Sequence, residues 1–315
     1  MGRLAVVTWS SMAGGLAIAL MFYMARIAPR WIETVKLNVG IPGLPPECHG
    51  VRIAHLSDFH VGSAVPTETL HHSRQIALDF MPDIVALTGD FFNEGVVVDS
   101  GDLFTNWPAR ARVFAVLGNH DYRGPVGHLD RLLHLLADAG VTVLRNESIE
   151  IDLNGHGAWI VGVDDPFTTR MDDAVAFDML PADAEALLYL AHSPAAAITI
   201  PEGRARIMLC GHTHGGQLRI VPDGRVPFVK LARWLRRSPR RLDPLVHRGI
   251  HWTRGAVLIV SNGLGVSKLP LRFRTRPQVI LIELIEASVE GPPCDDVRRY
   301  VQCQNPTPRW LRWLS

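Results

Sequence analysis

The chain has 315 residues, 47% of them hydrophobic, and a formal net charge of +1 at pH 7. That length and apolar content suffice for a sizeable core, and the near-neutral balance argues against a general nucleic-acid binder, whose surface is strongly basic. The four cysteines, Cys48, Cys210, Cys294 and Cys303, include no Cys-x-x-Cys pair, which disfavours a structural zinc site; Cys210 ends an apolar run and reads as a small buried side chain.

From Leu4 to Ala25 no residue is charged. At about 1.5 Å rise per residue, a helix of this length crosses a hydrocarbon core of about 30 Å. Arg3 precedes it, Arg26 and Arg30 follow it, and Trp9, Phe22 and Tyr23 suit its interfacial ends. A cleaved signal peptide is the other reading. Its apolar region is usually shorter, and no clean small-residue cleavage site follows here, so residues 1–30 are expected to form an uncleaved single-pass anchor. Arg26, Arg30 and Lys36 lean the soluble part toward the cytoplasmic side, and no twin-arginine signal precedes the apolar stretch.

Trp31 to Val39 alternates apolar and polar side chains, the period of a half-buried first strand. A Pro/Gly-rich turn region, Gly40 to Gly50, follows. Short apolar runs then recur: Val51–Ser57, Ile84–Thr88, Val113–Leu117, Ala186–Ala191, Ile207–Cys210 and Ala256–Val260. Such runs bounded by Gly, Asp or Asn read as strands covered on both faces. Helical periodicity separates several of them, at Glu68–Phe80 and Leu129–Ala139, so the pattern is an α/β sheet protein. In open sheets of this class, ligands bind beyond the carboxyl ends of the strands.

Five of those strand ends carry chemistry: Asp58-Phe59-His60, Gly89-Asp90, Gly118-Asn119-His120-Asp121, His192, and Gly211-His212-Thr213-His214. Alone, an Asp-x-His or a Gly-Asp is usually a turn, and His192 before Ser193-Pro194 is more often a capping or core histidine. Gly211-His212-Thr213-His214 is the stronger piece, with two histidines directly after a buried strand. Together they supply carboxylate, imidazole and amide oxygen donors, which suit divalent transition ions better than soft thiolate sites do. Two ions held about 3.5–4 Å apart clamp a phosphoryl group and need a bridging carboxylate. His55, inside a strand, reads as structural; His71, His72, His128 and His134 read as helix-surface residues. No phosphate-loop, His-Glu-x-x-His or Gly-x-Ser-x-Gly signature competes. Gly263-Leu-Gly-Val-Ser-Lys268 fits a substrate contact and a plain turn equally.

The ordered set resembles the calcineurin-like metallophosphoesterase superfamily, from Val51 to about Glu286. The resemblance implies a sandwich of two mixed β-sheets flanked by helices over residues 31–290, preceded here by one transmembrane helix. It implies two divalent ions (Mn2+, Fe2+ or Zn2+), one held by Asp58, His60 and His214, the other by Asn119, His192 and His212, with Asp90 bridging. It further implies that His120 contacts the phosphate and assists the leaving group while Asp121 orients His120. No ligand position departs from the pattern, which disfavours a non-catalytic metal-dependent membrane scaffold.

Two segments bear on substrate. Between Asp223 and Asp243 there is no acid, while Lys230, Arg233, Arg236, Arg237, Arg240 and Arg241 are cationic and Phe228, Leu231, Trp234 and Leu235 share another helical face. That suits a helix in the headgroup region of an anionic bilayer; a solvated basic helix with its apolar face on the core is the plainer reading. Lys230, Arg233, Trp234, Arg236 and Arg237 are the expected lipid or substrate contacts. Residues 291–315 form a basic-aromatic tail ending Arg309-Trp-Leu-Arg-Trp-Leu. Gly211 to Gln217, Gly263-Leu-Gly265 and Leu271-Arg-Phe273 resemble a branch of membrane-anchored bacterial phosphodiesterases that includes UDP-2,3-diacylglucosamine pyrophosphatases of lipid A synthesis. This implies a lipid-linked nucleotide substrate at the bacterial inner membrane, the alternatives being a broad phosphodiesterase and a phospholipid headgroup hydrolase.

Overall fold

A computed structural model describes residues 2–93, 100, 102–219, 248–287 and 301–303. The basic segment with Lys230, Arg233, Trp234, Arg236 and Arg237, and most of the C-terminal tail, lie outside the described residues.

Helix α1 (Gly2–Phe22) continues through irregular helical turns to Arg30. Its span Ser11–Arg30 is long and apolar enough to cross a membrane and is exposed over most of its length, at Met12, Leu16 and Ile18 among others, while Ala28 and Pro29 near its end are buried. A membrane span and a signal sequence both meet that description.

The strands are β1 (Glu33–Ile41), β2 (Arg52–Leu56), β3 (Ile84–Thr88), β4 (Arg112–Val116), β5 (Val141–Val143), β6 (Glu147–Leu153), β7 (His156–Gly162), β8 (Ala186–Leu190), β9 (Ala205–Cys210), β10 (Gly249–Thr253), β11 (Ala256–Val260), β12 (Gln278–Glu286) and β13 (Val301–Cys303). They form a seven-stranded sheet, β13-β1-β12-β2-β3-β4-β5, and a six-stranded sheet, β10-β11-β9-β8-β7-β6. Both are mixed: β2, β3, β4 and β5 run parallel, as do β7, β8, β9 and β11, while β12 is antiparallel to β2 and β6 to β7.

Side chains alternate between the two faces along each strand, and in central strands such as β3, β8 and β11 both faces are buried. Ile53, Ile84, Ala86, Phe114 and Val116 of the first sheet meet Ile160, Leu188, Leu190, Ile207 and Ile259 of the second in the layer between them. On the outer face of the first sheet, Ala54, Val85, Leu87 and Ala115 lie under α2 (Thr67–Asp79) and α3 (His128–Asp138) through Leu70, Ala77, Leu132 and Leu136. On the outer face of the second sheet, Val161, Tyr189, Met208 and Leu258 pack with Ala176 and Phe177 of α4 (Asp173–Asp178). The layers stack as helix, sheet, sheet, helix, as the apolar runs imply.

One expectation needs correction. His128 is buried rather than on the surface. Helix α3 begins at His128, one residue before the expected start, and so places it on the same inward stripe as Leu132 and Leu136. Strand β13 adds an antiparallel edge strand to β1, pairing Leu37 with Cys303, so the first sheet takes in part of the segment expected as a tail.

His55 is fully buried, with Nε2 2.9 Å from Thr88 Oγ1. Burial lowers its pKa from 6.5 to about 3. Between those values the unfolded chain binds the proton and the folded one does not, so His55 costs stability increasingly as pH falls from about 6.5. His55→Gln is therefore expected to flatten the fall in melting temperature between pH 6.5 and pH 4 relative to wild type, read by thermal denaturation; parallel curves would contradict it.

Candidate metal centre

The carboxyl ends of β2, β3, β4, β8, β9 and β11 all meet at one edge of the sandwich because these strands are parallel within their sheets. The backbone turns sharply there and keeps its ladders. Asp58 N–H donates to Gly89 O at 3.0 Å, His60 N–H to Asp90 O at 2.9 Å, and Gly211 N–H to His192 O at 2.8 Å. Asp58, His60, Asp90, His212 and His214 all take left-handed φ values, between 44° and 68°. Such values are uncommon outside glycine and aim successive side chains toward one point. Glycine is required where loops touch: Gly89 has φ 79°, and a Cβ there would overlap the backbone of Gly118.

The resulting cluster brings the expected carboxylates and imidazoles together. Asp58, His60 and His214 form one group of convergent donor atoms; Asp90, His192 and His212 form another; His60, Asp90 and His120 overlap both. His60 Nε2 lies 3.1 Å from His214 Nε2 and 3.4 Å from Asp90 Oδ2, and His214 Nε2 lies 3.5 Å from Asp58 Oδ1. On the other side, His192 Nε2 is 3.3 Å from Asp90 Oδ2 and 3.1 Å from His212 Nδ1. Asp90 thus stands between the two groups. His192 Nδ1 donates to Thr88 O at 2.7 Å, which leaves Nε2 facing the centre.

Supporting bonds cross from sheet to sheet. The Asp58 carboxylate accepts the His212 N–H, at 3.0 and 3.1 Å, and the Ser57 hydroxyl at 2.6 Å. Asp121 accepts the backbone N–H groups of Asp90, Phe91 and Gly118, each at 2.8 Å. It therefore locks the β3 and β4 loops together and fixes the turn that carries His120. That backbone role is broader than the side-chain orientation expected from the sequence. His120 N–H donates to Asp90 Oδ1 at 2.8 Å, and its ring stands edge-on to His60 at 4.8 Å.

Electrostatics point the same way. For Asp90 burial acts upward, but His192, His60 and His120 together hold the carboxyl well below its usual range. Burial pushes Asp58 up to about 6, and burial with the Asp90 charge pushes Asp121 up to about 7. Burial lowers His60 to about 4 and His212 to about 3, so their lone pairs are available at neutral pH. Against the same burial, Asp90, Asp58 and Asp165 hold His192 well above its ordinary range. Crowded carboxylates thus call for positive charge where neutral imidazoles also converge. Asn119 is buried, and its Oδ1 has no hydrogen-bond partner among the described residues. This mixed oxygen and imidazole donor set fits two divalent ions.

Some contributors were not legible beforehand. The Phe167 ring stacks on His212 at 4.8 Å. Asp165, fully buried, caps Phe167 N at 2.6 Å and adds negative charge near His192. Val163-Asp-Asp-Pro166 following an apolar run is the signal that could have found them.

Comparison with known proteins agrees with the geometry. Residues 51–216 match the family model described as calcineurin-like phosphoesterase. The uncharacterized metallophosphoesterase YkoQ of Bacillus subtilis is 28% identical over 275 residues, covering 84% of this chain and 96% of its own. Phosphodiesterase YaeI of Escherichia coli is 29% identical over 269 residues, covering 84% and 92%. The UDP-2,3-diacylglucosamine pyrophosphatase LpxG of Chlamydia trachomatis is 24% identical over 311 residues, covering 82% and 91%.

Because Asp90 faces both donor groups, Asp90→Ala is expected to lower bound metal by more than one equivalent per chain, measured by elemental analysis after desalting. Full retention of metal would remove Asp90 from the bridging position.

Proposed function

Because this chain belongs to the calcineurin-like phosphoesterases, metal-dependent hydrolases with a dinuclear divalent-metal centre, we propose that it cleaves a phosphodiester or pyrophosphate bond in a membrane-associated substrate, with UDP-2,3-diacylglucosamine preferred. The observation that carries this reading is the convergence of Asp58, His60 and His214 with Asp90, His192 and His212 on one strand edge. Asp58, His60 and His214 would hold one ion and Asn119, His192 and His212 the other, with Asp90 between the two groups. When bound, the two ions draw charge from the phosphoryl oxygens and lower the pKa of a water placed for in-line attack. Asp121 keeps the β3 and β4 loops in register so that the His120 imidazole stands beside the reacting phosphorus. There it stabilises or protonates the leaving oxygen, a contribution of about 10²–10⁴-fold for a positioned acid.

The substrate proposal draws on three further features. LpxG carries UDP-2,3-diacylglucosamine pyrophosphatase in its name. The apolar span Ser11–Arg30 would hold the domain at a bilayer, on the cytoplasmic face of a bacterial inner membrane by its flanking charge. Lys230, Arg233, Arg236 and Arg237, with Trp234, would meet a diphosphate and anionic lipid headgroups. The second reading, a broad-specificity phosphodiesterase, is favoured by the similarity to YaeI, named only for that activity.

In mixed micelles with Mn2+, the protein is expected to release UMP from UDP-2,3-diacylglucosamine. His120→Ala should keep its metal and lose most of that rate. Hydrolysis of a chromogenic diester without UMP release would leave the broad phosphodiesterase as the better account.

A further inference from the structure

Arg272 is the largest fully buried side chain among the described residues, and it lies outside the set of expected ligands. Its Nη2 donates to the carbonyls of Asn262, at 3.0 Å, Gly263, at 3.1 Å, and Gly265. One guanidinium thus gathers three carbonyls of the loop that follows β11. That loop lies directly on the Asp58–His60 turn: Leu264 N–H donates to Ser57 O at 2.9 Å and Gly265 N–H to Asp58 O at 2.6 Å. The fit admits no side chain, since a Cβ on Gly263 would come 2.7 Å from Asp58 Cβ and one on Gly265 would come 2.7 Å from His60 Cβ. The charge of Arg272 is felt at Asp58, His60 and His214, the residues of one donor group.

The same residue reaches in the opposite direction. Its backbone N–H donates to Met24 O at 2.9 Å, at the C-terminal end of the apolar N-terminal helix. Four residues on, the Arg276 guanidinium lies 3.6 Å over the Trp31 ring, and Ala28 and Pro29 between these contacts are buried. The end of the helix is therefore seated on the segment that also walls the metal centre.

We propose that Arg272 is a positioning residue that holds the Asn262–Gly265 loop against the Asp58–His60 turn and couples the seat of the N-terminal helix to the Asp58–His60–His214 side of the centre. Replacing it leaves the donor atoms of that side in place and loosens their support. The inference rests on the metal centre and is independent of the lipid substrate.

The test is calorimetric Mn2+ titration of the full chain in detergent micelles, comparing wild type with His214→Ala, Arg272→Gln, Arg272→Lys and Trp31→Ala. His214→Ala identifies the binding step that belongs to its side. Arg272→Gln is expected to weaken that step by about ten-fold or more, the usual scale for losing a group that supports a ligand, and to spare the other. Arg272→Lys, which keeps the charge and one donor, should recover part of the loss. Trp31, about half exposed, can be replaced without disturbing the core. Trp31→Ala should speed amide exchange across residues 262–272 and weaken the same step. An unchanged step in Arg272→Gln, or equal weakening of both steps, would overturn the positioning role. If Arg272→Gln does not fold, an unaltered step in Arg272→Lys overturns that role by itself. Unaltered exchange in Trp31→Ala overturns the coupling to the helix.

Discussion

The structure is organised around negative charge buried where two sheets meet. Asp58, Asp90, Asp121 and Asp165 are all almost fully buried, within a few residues of strand ends. A carboxylate removed from water costs several kcal/mol unless hydrogen bonds or positive charge answer it. Asp121 is answered by backbone N–H groups of two loops, and Asp58 by Ser57 and the His212 N–H from the opposite sheet. Asp90 receives one N–H from His120 and otherwise faces imidazoles. The bond of Asp58 to His212 and the contact of Asp90 with His192 also join the sheets, so the centre and the sandwich seam are one construction. Divalent cations complete the neutralisation that the protein groups begin.

Holding such a cluster strains the backbone. Five of the proposed ligands occupy left-handed φ, a conformation costing of order 1–3 kcal/mol for a residue with a side chain. The cost is sustained by strands buried on both faces directly behind each turn and by ladder bonds that continue past the strand ends. A rigid edge presenting preset donors suits a reaction in which placement and electrostatics supply most of the catalysis. The loop tied by Arg272 extends that rigidity toward the N-terminal helix.

Much of this was legible in the sequence because it rests on local pattern. Ile84–Thr88 and Ala256–Val260 read as buried strands and are β3 and β11, and the Asp and His residues at the strand ends converge as parallel strands require. His128 was misread because one residue at a helix start decides which face it occupies. The span of Asp121 across two loops was hidden, since it depends on how β3 and β4 loops stack rather than on neighbours in sequence. Phe167 escaped for the same reason, since it reaches the centre from a loop whose path is set by distant contacts, and Leu271-Arg-Phe273 was legible as a motif while the bonds of Arg272 to the Asn262–Gly265 loop were not. The left-handed turns were hidden as well, because Asp and His, unlike Gly, do not announce positive φ.

The central claim is that two ions share Asp90. Electron paramagnetic resonance of the full chain loaded with Mn2+ tests it most directly. Two ions about 3.5–4 Å apart across a bridging carboxylate would give an exchange-coupled spectrum at two equivalents. A spectrum of isolated Mn2+ at saturation, with no coupling at any loading, would contradict a dinuclear centre on this strand edge.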